Sequence, residues 1–247
     1  MNFSYSFFLS FFAGMSTLIG FFLVFFNKKP DKIIPKSLAF SSGVMLSVSA
    51  LDLIPESFSI FIKNYSTFLS VLLIIIVFLV GMILTNITSE IISKKQSDSL
   101  FKVGTISMLA IIMHNVPEGI VTFLTSNINE GLGLSLAFSI AMHNIPEGIS
   151  ISVPIFYSTK SKSKAFIYTL VSALSEPFGA LVAFVFFKNF NSMLFMSYLY
   201  SFIAGVMIYI SAFELLNESF KYNNKKESIT FLIIGFLFMY ISLLTLF

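Results

Sequence analysis

The hexapeptide His114-Asn115-Val116-Pro117-Glu118-Gly119 recurs 29 residues later as His143-Asn144-Ile145-Pro146-Glu147-Gly148. The two copies hold both histidines of the chain. On a helix, His and Glu at i and i+4 share a face, and the Asn between them lies one turn before that Glu. The proline three residues after each histidine has no N–H for the carbonyl four residues earlier. Pro117 thus frees the carbonyl of Met113 and Pro146 that of Met142, so each helix is expected to kink and bare an oxygen beside its ligands. Imidazole with carboxylate, amide and carbonyl oxygens is donor chemistry for zinc, iron(II), manganese or nickel. Paired His and Glu ligands disfavour magnesium and calcium. With no cysteine in the chain, thiolate sites for copper(I), disulfides and thiol redox chemistry are excluded.

The elements that must position these residues follow from hydropathy. Of 247 residues, 56% are hydrophobic and 11% charged, with mean hydropathy +0.91; a soluble domain carries about twice that charge. Apolar runs of about 18 or more residues cross a bilayer as helices, and unbroken runs exclude the alternating pattern of a barrel. The chain is therefore expected to be an all-α integral membrane protein with eight transmembrane helices. The spans read as 3–26, 37–62, 67–92, 102–126, 131–157, 165–187, 192–219 and 229–246. Loops of about ten residues are too short to fold alone, so residues 1–247 read as a single transmembrane domain. The first run lacks a basic leader and a small-residue cleavage site and reads as a retained helix.

All 15 basic residues are lysines. Thirteen of them fall in the odd loops: Lys28, Lys29, Lys32 and Lys36; Lys94, Lys95 and Lys102; Lys160, Lys162 and Lys164; Lys221, Lys225 and Lys226. The even loops hold only Lys63 and Lys188. Positive loops stay cytoplasmic, which puts both termini outside. The net charge of +3 is then an orientation signal, and no nucleic-acid partner is expected.

Depth can be read from the same landmarks. His114 lies 12 residues past Lys102, His143 lies 13 past Glu130, and Glu176 lies 12 past Lys164. Each distance is ~18–20 Å along a helix, close to the bilayer centre. His114, Glu118, His143, Glu147 and Glu176 therefore share one level, with no lysine in any span core. Buried carboxylates without a partner cost several kcal/mol, so these are either protonated or bind an imported cation. Two divalent ions against three carboxylates leave only +1. A metal-free proton relay is the competing use of such residues.

Two further segments repeat. Residues 40–58 and 202–220 are identical at 10 of 19 positions, which aligns Asp52 with Glu214 and Glu56 with Glu218. By the lysine pattern, spans 2 and 7 run in opposite directions, as do spans 4 and 5, which makes both pairs inverted repeats. Inverted repeats around a midplane site are the pattern of secondary transporters. Asp52 and Glu56 near one membrane face, and Glu214 and Glu218 near the other, are either entry and exit relays or solvated interfacial acids. Glu90, Asp98, Glu130 and Glu227 read as solvated, and the 32 Phe and 11 Met as lipid-facing or packing surface.

The tandem hexapeptides, Ser175-Glu176-Pro177, and eight spans with both ends outside resemble the ZIP (Zrt-, Irt-like protein) metal transporters over nearly the whole chain, most closely the bacterial ZupT-type branch. The resemblance implies uptake of zinc across the bacterial inner membrane into the cytoplasm, with iron(II), manganese or cadmium tolerated and no resident cofactor. It implies a binuclear site: His114, Glu118, His143 and Glu147 at one position, and Asn115, Asn144, Glu147 and Glu176 at the other, with Glu118 able to bridge. It also implies a homodimer in which spans 1, 4, 5 and 6 move, elevator-like, against a scaffold of spans 2, 3, 7 and 8.

Two departures stand out. The 93–101 loop has no histidine, and Asn217 stands where the family's Glu-x-x-Pro-Glu has proline. The alternative function is an intramembrane metal-dependent hydrolase. Against it, no His-Glu-x-x-His occurs, and the doubled ligand set leaves no evident open coordination position. A metal sensor would need a soluble output domain, and no nucleotide-binding P-loop is present for ATP coupling.

Overall fold

The computed structural model describes residues 3–26, 29–95, 97–186, 193–222 and 224–246. Lys28 and Lys188 of the lysine pattern, and the ends of the sixth and seventh expected spans at 187 and 192, lie outside them. The described residues are helical almost throughout. The long helices are α1 (Phe3–Phe21), α2 (Pro30–Phe61), α3 (Thr67–Lys95), α4 (Ser99–Ile128), α5 (Glu130–Thr159), α6 (Lys162–Phe186), α7 (Met193–Phe220) and α8 (Lys225–Leu246). A short turn, Leu23–Phe26, follows α1.

Seven of these, all but α5, are long and apolar enough to cross a membrane. The 30-residue α5 falls short because Ser139, His143, Asn144, Glu147, Ser150 and Ser152 occupy its middle, and all are buried against neighbouring helices. A helix sheathed by protein on its polar side needs less apolar surface than one facing lipid.

Several helices run further than their apolar runs. Lys32 and Lys36 were expected in a loop but lie within α2, which starts at Pro30, a residue suited to a first helical turn. Lys102, Lys162, Lys164, Lys225 and Lys226 likewise lie in opening turns. Backbone hydrogen bonding continues into the interfacial zone, and lysine stems can lie along the helix while the ammonium stays wet. Local caps fix the boundaries. Asp98 accepts from Phe101 N–H (2.9 Å), Asn129 from Leu132 N–H (3.1 Å) and Ser161 from Lys164 N–H (3.2 Å). Lys160 closes α5 in a left-handed conformation, φ 55°.

Neither Pro117 nor Pro146 ends its helix. The irregularities lie elsewhere. α2 passes through a π-helical turn at Ser49–Leu53, and α7 through one at Ile210–Leu215. The two turns occupy matching places in the repeated 19-residue segment. Their hydrogen bonds match as well: Ser49 donates to the Met45 carbonyl and Ser211 to that of Met207. Pro55 follows the first turn and cannot donate to the carbonyl of Leu51. Its aligned residue, Asn217, donates from its side chain to the Phe213 carbonyl at 2.9 Å. An amide at this position thus occupies the carbonyl four residues back, which a proline would leave free.

Four helix pairs pack so closely that a glycine Cβ would run into the opposing backbone. In the first two pairs, Gly43 and Gly235 join α2 to α8, and Gly205 and Gly81 join α7 to α3. In the other two, Gly119 and Gly179 join α4 to α6, and Gly148 and Gly20 join α5 to α1. Any larger residue would force the helices apart. Between the two quartets lies an apolar cluster in which Leu38, Met45 and Val48 of α2 and Val206 and Met207 of α7 pack with Val103 and Ala110 of α4 and Ile149 and Val153 of α5.

Candidate metal centre

α4 carries His114, Asn115 and Glu118, α5 carries His143, Asn144 and Glu147, and α6 carries Glu176; all seven are buried. The His114 Nε2 lies 2.8 Å from Glu147 Oε1, and its Nδ1 lies 3.1 Å from the Ala110 carbonyl. A carbonyl only accepts, so Nδ1 carries a proton, and Nε2 is the nitrogen left available to a metal. A second proton must then sit between Nε2 and the carboxylate, and an arriving cation would replace it. On the opposite diagonal, His143 Nε2 lies 3.4 Å from Glu118 Oε1. Asn144 Nδ2 donates to Glu176 Oε2 at 2.8 Å and to the Ala13 carbonyl at 2.9 Å.

The backbone favours this placement of Glu176. Pro177 cannot donate to the Ala173 carbonyl, and α6 breaks at Leu174 and restarts at Ser175. Glu176 therefore lies in a first helical turn, where the helix dipole favours negative charge. The freed Ala173 carbonyl abuts Gly14 of α1, where a Cβ would lie 2.5 Å from it.

Among the described residues, no three His, Asp or Glu side chains are gathered tightly enough to hold an ion. They stand as two His–Glu pairs and one Asn–Glu pair. The remaining oxygens of the site (Asn115 Oδ1, Glu118 Oε2, Asn144 Oδ1, Glu147 Oε2 and Glu176 Oε1) are buried without a hydrogen-bond partner. Unpaired buried acceptors are costly, and a cation would satisfy several of them at once.

One end of the cluster opens into a cavity of about 330 Å³, lined by Asp52 and Glu56 of α2, Glu118 and Thr125 of α4, Ser139 and His143 of α5 and Tyr200 of α7, among others. The looser pair, His143–Glu118, borders this cavity, whereas His114–Glu147 is sealed from it. At the opposite end of α4 stands a group of polar contacts. Lys102 Nζ lies 3.7 Å from Glu214 Oε2, Ser89 Oγ donates to Glu214, Ser99 Oγ donates to Glu218 at 3.0 Å, and Lys221 pairs with Glu218 at 2.5 Å. A larger cavity of about 550 Å³ between α2 and α3 is lined by apolar side chains and holds no ligand chemistry.

Residues 93–243 match a family model described as ZIP zinc transporter. Proteins named zinc transporter ZupT from Chlorobium chlorochromatii and Oceanobacillus iheyensis are each 34% identical to this chain; the first covers 98% of both chains and the second 99%. A Clostridium perfringens protein of the same name is 32% identical over 97% of this chain and 95% of its own length. The chain belongs to the ZIP family.

For this ZIP protein the four acids aligned by the repeat are treated unequally. Asp52 and Glu56 line the cavity. Glu214 and Glu218 are buried and partnered, so of the two readings left open for them, relay or solvated helix end, the solvated one does not hold. Glu227, also read as solvated, pairs with Lys36 at 2.7 Å. Sequence reasoning missed Tyr200, Ser139, Ser89 and Ser99, because only the packing of distant helices brings them to the two ends of the site. It also treated Lys102 purely as an orientation signal, and its offset from Glu214 carries no local pattern.

Proposed function

We propose that this protein imports divalent transition-metal ions, zinc foremost, into the cytoplasm across the bacterial inner membrane by elevator-like alternating access. The observation that carries the reading is the buried cluster of two imidazoles, two amides and three carboxylates, reached by a cavity at one end, with the Lys102–Glu214 contact toward the other. Its oxygens and nitrogens suit zinc, iron(II) or manganese. The relatives' name, zinc transporter, favours zinc. The metal is cargo, and membership of a transporter family sets the hydrolase reading aside.

The lysine pattern places the cavity on the outer side and the Lys102–Glu214 contact on the inner side, so the described conformation is outward-facing. Two ions would share the site: His114, Glu118, His143 and Glu147 holding one, Asn115, Asn144, Glu147 and Glu176 the other, with Glu118 able to bridge. The glycine-packed quartets supply the two bodies. α1, α4, α5 and α6 carry the ligands, while α2, α3, α7 and α8 form the scaffold and the homodimer contact. The apolar cluster between them is a surface suited to sliding, since displacement there breaks few directional bonds. Matched π turns and matched glycine contacts support relating the halves by inversion.

The test is zinc uptake into proteoliposomes with no organic substrate present. Glu147→Ala should abolish uptake, because this carboxylate faces His114 and has a second free oxygen. A Glu147→Ala protein present at parental levels and carrying zinc at the parental rate would refute the shared-site reading.

A further inference from the structure

Several contacts around the site are related by one exchange, α4 with α5 and α6 with α1. It takes His114–Glu147 into His143–Glu118. It takes Gly119 against the Glu176 carbonyl into Gly148 against the Thr17 carbonyl, and Gly179 against Val116 into Gly20 against Ile145. Gly14 and Ala173 exchange with each other, and they touch. Every ligand but one has a mate of its own type. Glu176 does not: the residue in its place on α1 is Thr17.

The Thr17 hydroxyl, like that of Thr122, departs from the usual pattern of a helical threonine. A helical threonine commonly bonds the carbonyl four residues back, and Thr85, Thr105, Thr159 and Thr169 do so at 2.7–2.8 Å. For Thr17 that carbonyl belongs to Ala13, where Asn144 Nδ2 and Ser16 Oγ already donate at 2.9 and 2.6 Å. Thr17 Oγ1 is fully buried and has no hydrogen-bond partner. Its helix face, with Ala13 one turn away, lies along the α5 segment from Asn144 to Gly148. Asn115, the mate of Asn144 under the exchange, has both side-chain atoms unpartnered, so the counterparts of the Asn144 bonds to Glu176 and Ala13 are not made and the Asn115 and Thr17 side-chain polar atoms are all left free of protein partners.

We propose that Thr17 is a further oxygen donor to the second metal position, a neutral hydroxyl where its mate Glu176 supplies a carboxylate. This rests on the binuclear reading given above. The asymmetry has a consequence for charge: a carboxylate at both places would give four negative charges against two divalent ions, whereas Thr17 leaves the loaded site at +1. A site left with excess positive charge releases its second ion more readily. A hydroxyl also contributes more to manganese, which accepts oxygen ligands, than to zinc.

The test is direct metal binding to the full-length protein in detergent, with manganese and zinc separately, for the parent, Glu176→Ala, Thr17→Val and Thr17→Ser. Valine keeps the shape that packs on Gly148 and removes only the oxygen. Thr17→Val should weaken the second manganese ion by about 10-fold or more, in the range typical of a lost group around a metal site. It should leave the first ion and the metal-free melting temperature unchanged, and Thr17→Ser should restore binding. If the parent binds two ions, Glu176→Ala binds one and Thr17→Val binds two with parental affinities, the role of Thr17 is overturned and the binuclear site stands. A parent that binds a single ion overturns both. If Thr17→Val lowers the metal-free melting temperature, Thr17→Ala decides the matter. Two ions bound at parental affinity by that variant overturn the proposal, and loss of the second ion alone supports it.

Discussion

On the proposed mechanism, Lys102 should set how readily the transporter leaves the outward-facing state. Its ammonium lies 3.7 Å from Glu214, with side-chain exposures of 27% and 7%. At an effective dielectric constant near 20, two unit charges at that distance attract by roughly 4–5 kcal/mol. Lysine hydration and the entropy of holding a long side chain reduce the net to about 1–2 kcal/mol, between an exposed pair and a buried one. Lys102→Met should then shift the two-state ratio by roughly 5–30-fold toward the inward-facing form. Because the chain has no cysteine, single reporters are clean. Ser107→Cys probes the inner half of α4, on the His114 face and buried in this state; Ser139→Cys probes the cavity. In the Lys102→Met background, the Ser107→Cys reporter should be labelled faster from the cytoplasmic side and the Ser139→Cys reporter more slowly from outside. The swap Lys102→Glu with Glu214→Lys should bring both rates back toward the parent. Unchanged labelling at both reporters in a well-folded Lys102→Met protein would show that the contact is not a latch.

Acid should weaken metal binding, because the cation competes with the proton held between His114 and Glu147 and with protons on His143 and the carboxylates. Affinity is expected to fall steadily from about pH 7.5 to pH 5, with protons released on binding; calorimetry in buffers of different ionisation enthalpy measures both, and a flat profile refutes histidine ligation. A cysteine replacing Lys162 should be labelled only after permeabilisation and one replacing Asn127 from outside, and equal labelling of the two in intact cells would overturn the orientation.

Much of the site was legible because its residues repeat. Two hexapeptides with fixed internal spacing determine which side chains share a helix face, and distances from interfacial residues set their common depth. Those rules follow from helix geometry alone and hold for any neighbour. What they could not supply was the partner across the interface. That His114 faces Glu147 rather than its own Glu118, one turn away, depends on how α4 meets α5. Lys102 with Glu214, and Ser57 with Ser201 at 2.6 Å, are likewise products of packing between helices far apart in sequence. The helices extend past the apolar spans for a different reason: hydropathy marks where lipid contact stops, whereas caps such as Asp98 and Asn129 decide where the backbone stops.

The repeated 19-residue segment shows most plainly how one sequence pattern serves two purposes. Both copies make the same π turn and the same serine-to-carbonyl bonds, so their backbones place the acids alike. Their surroundings differ. Asp52 and Glu56 border an open cavity, while Glu214 and Glu218 are tied to Lys102, Ser89, Ser99 and Lys221. A static scaffold with two equivalent halves would have no reason to satisfy one pair of acids and leave the other to solvent. A transporter caught at one end of its stroke has such a reason, because on the proposed mechanism α1, α4, α5 and α6 would close against only one copy at a time. The inequality between aligned residues therefore favours the proposed alternation, carried by carboxylates that the repeat aligns.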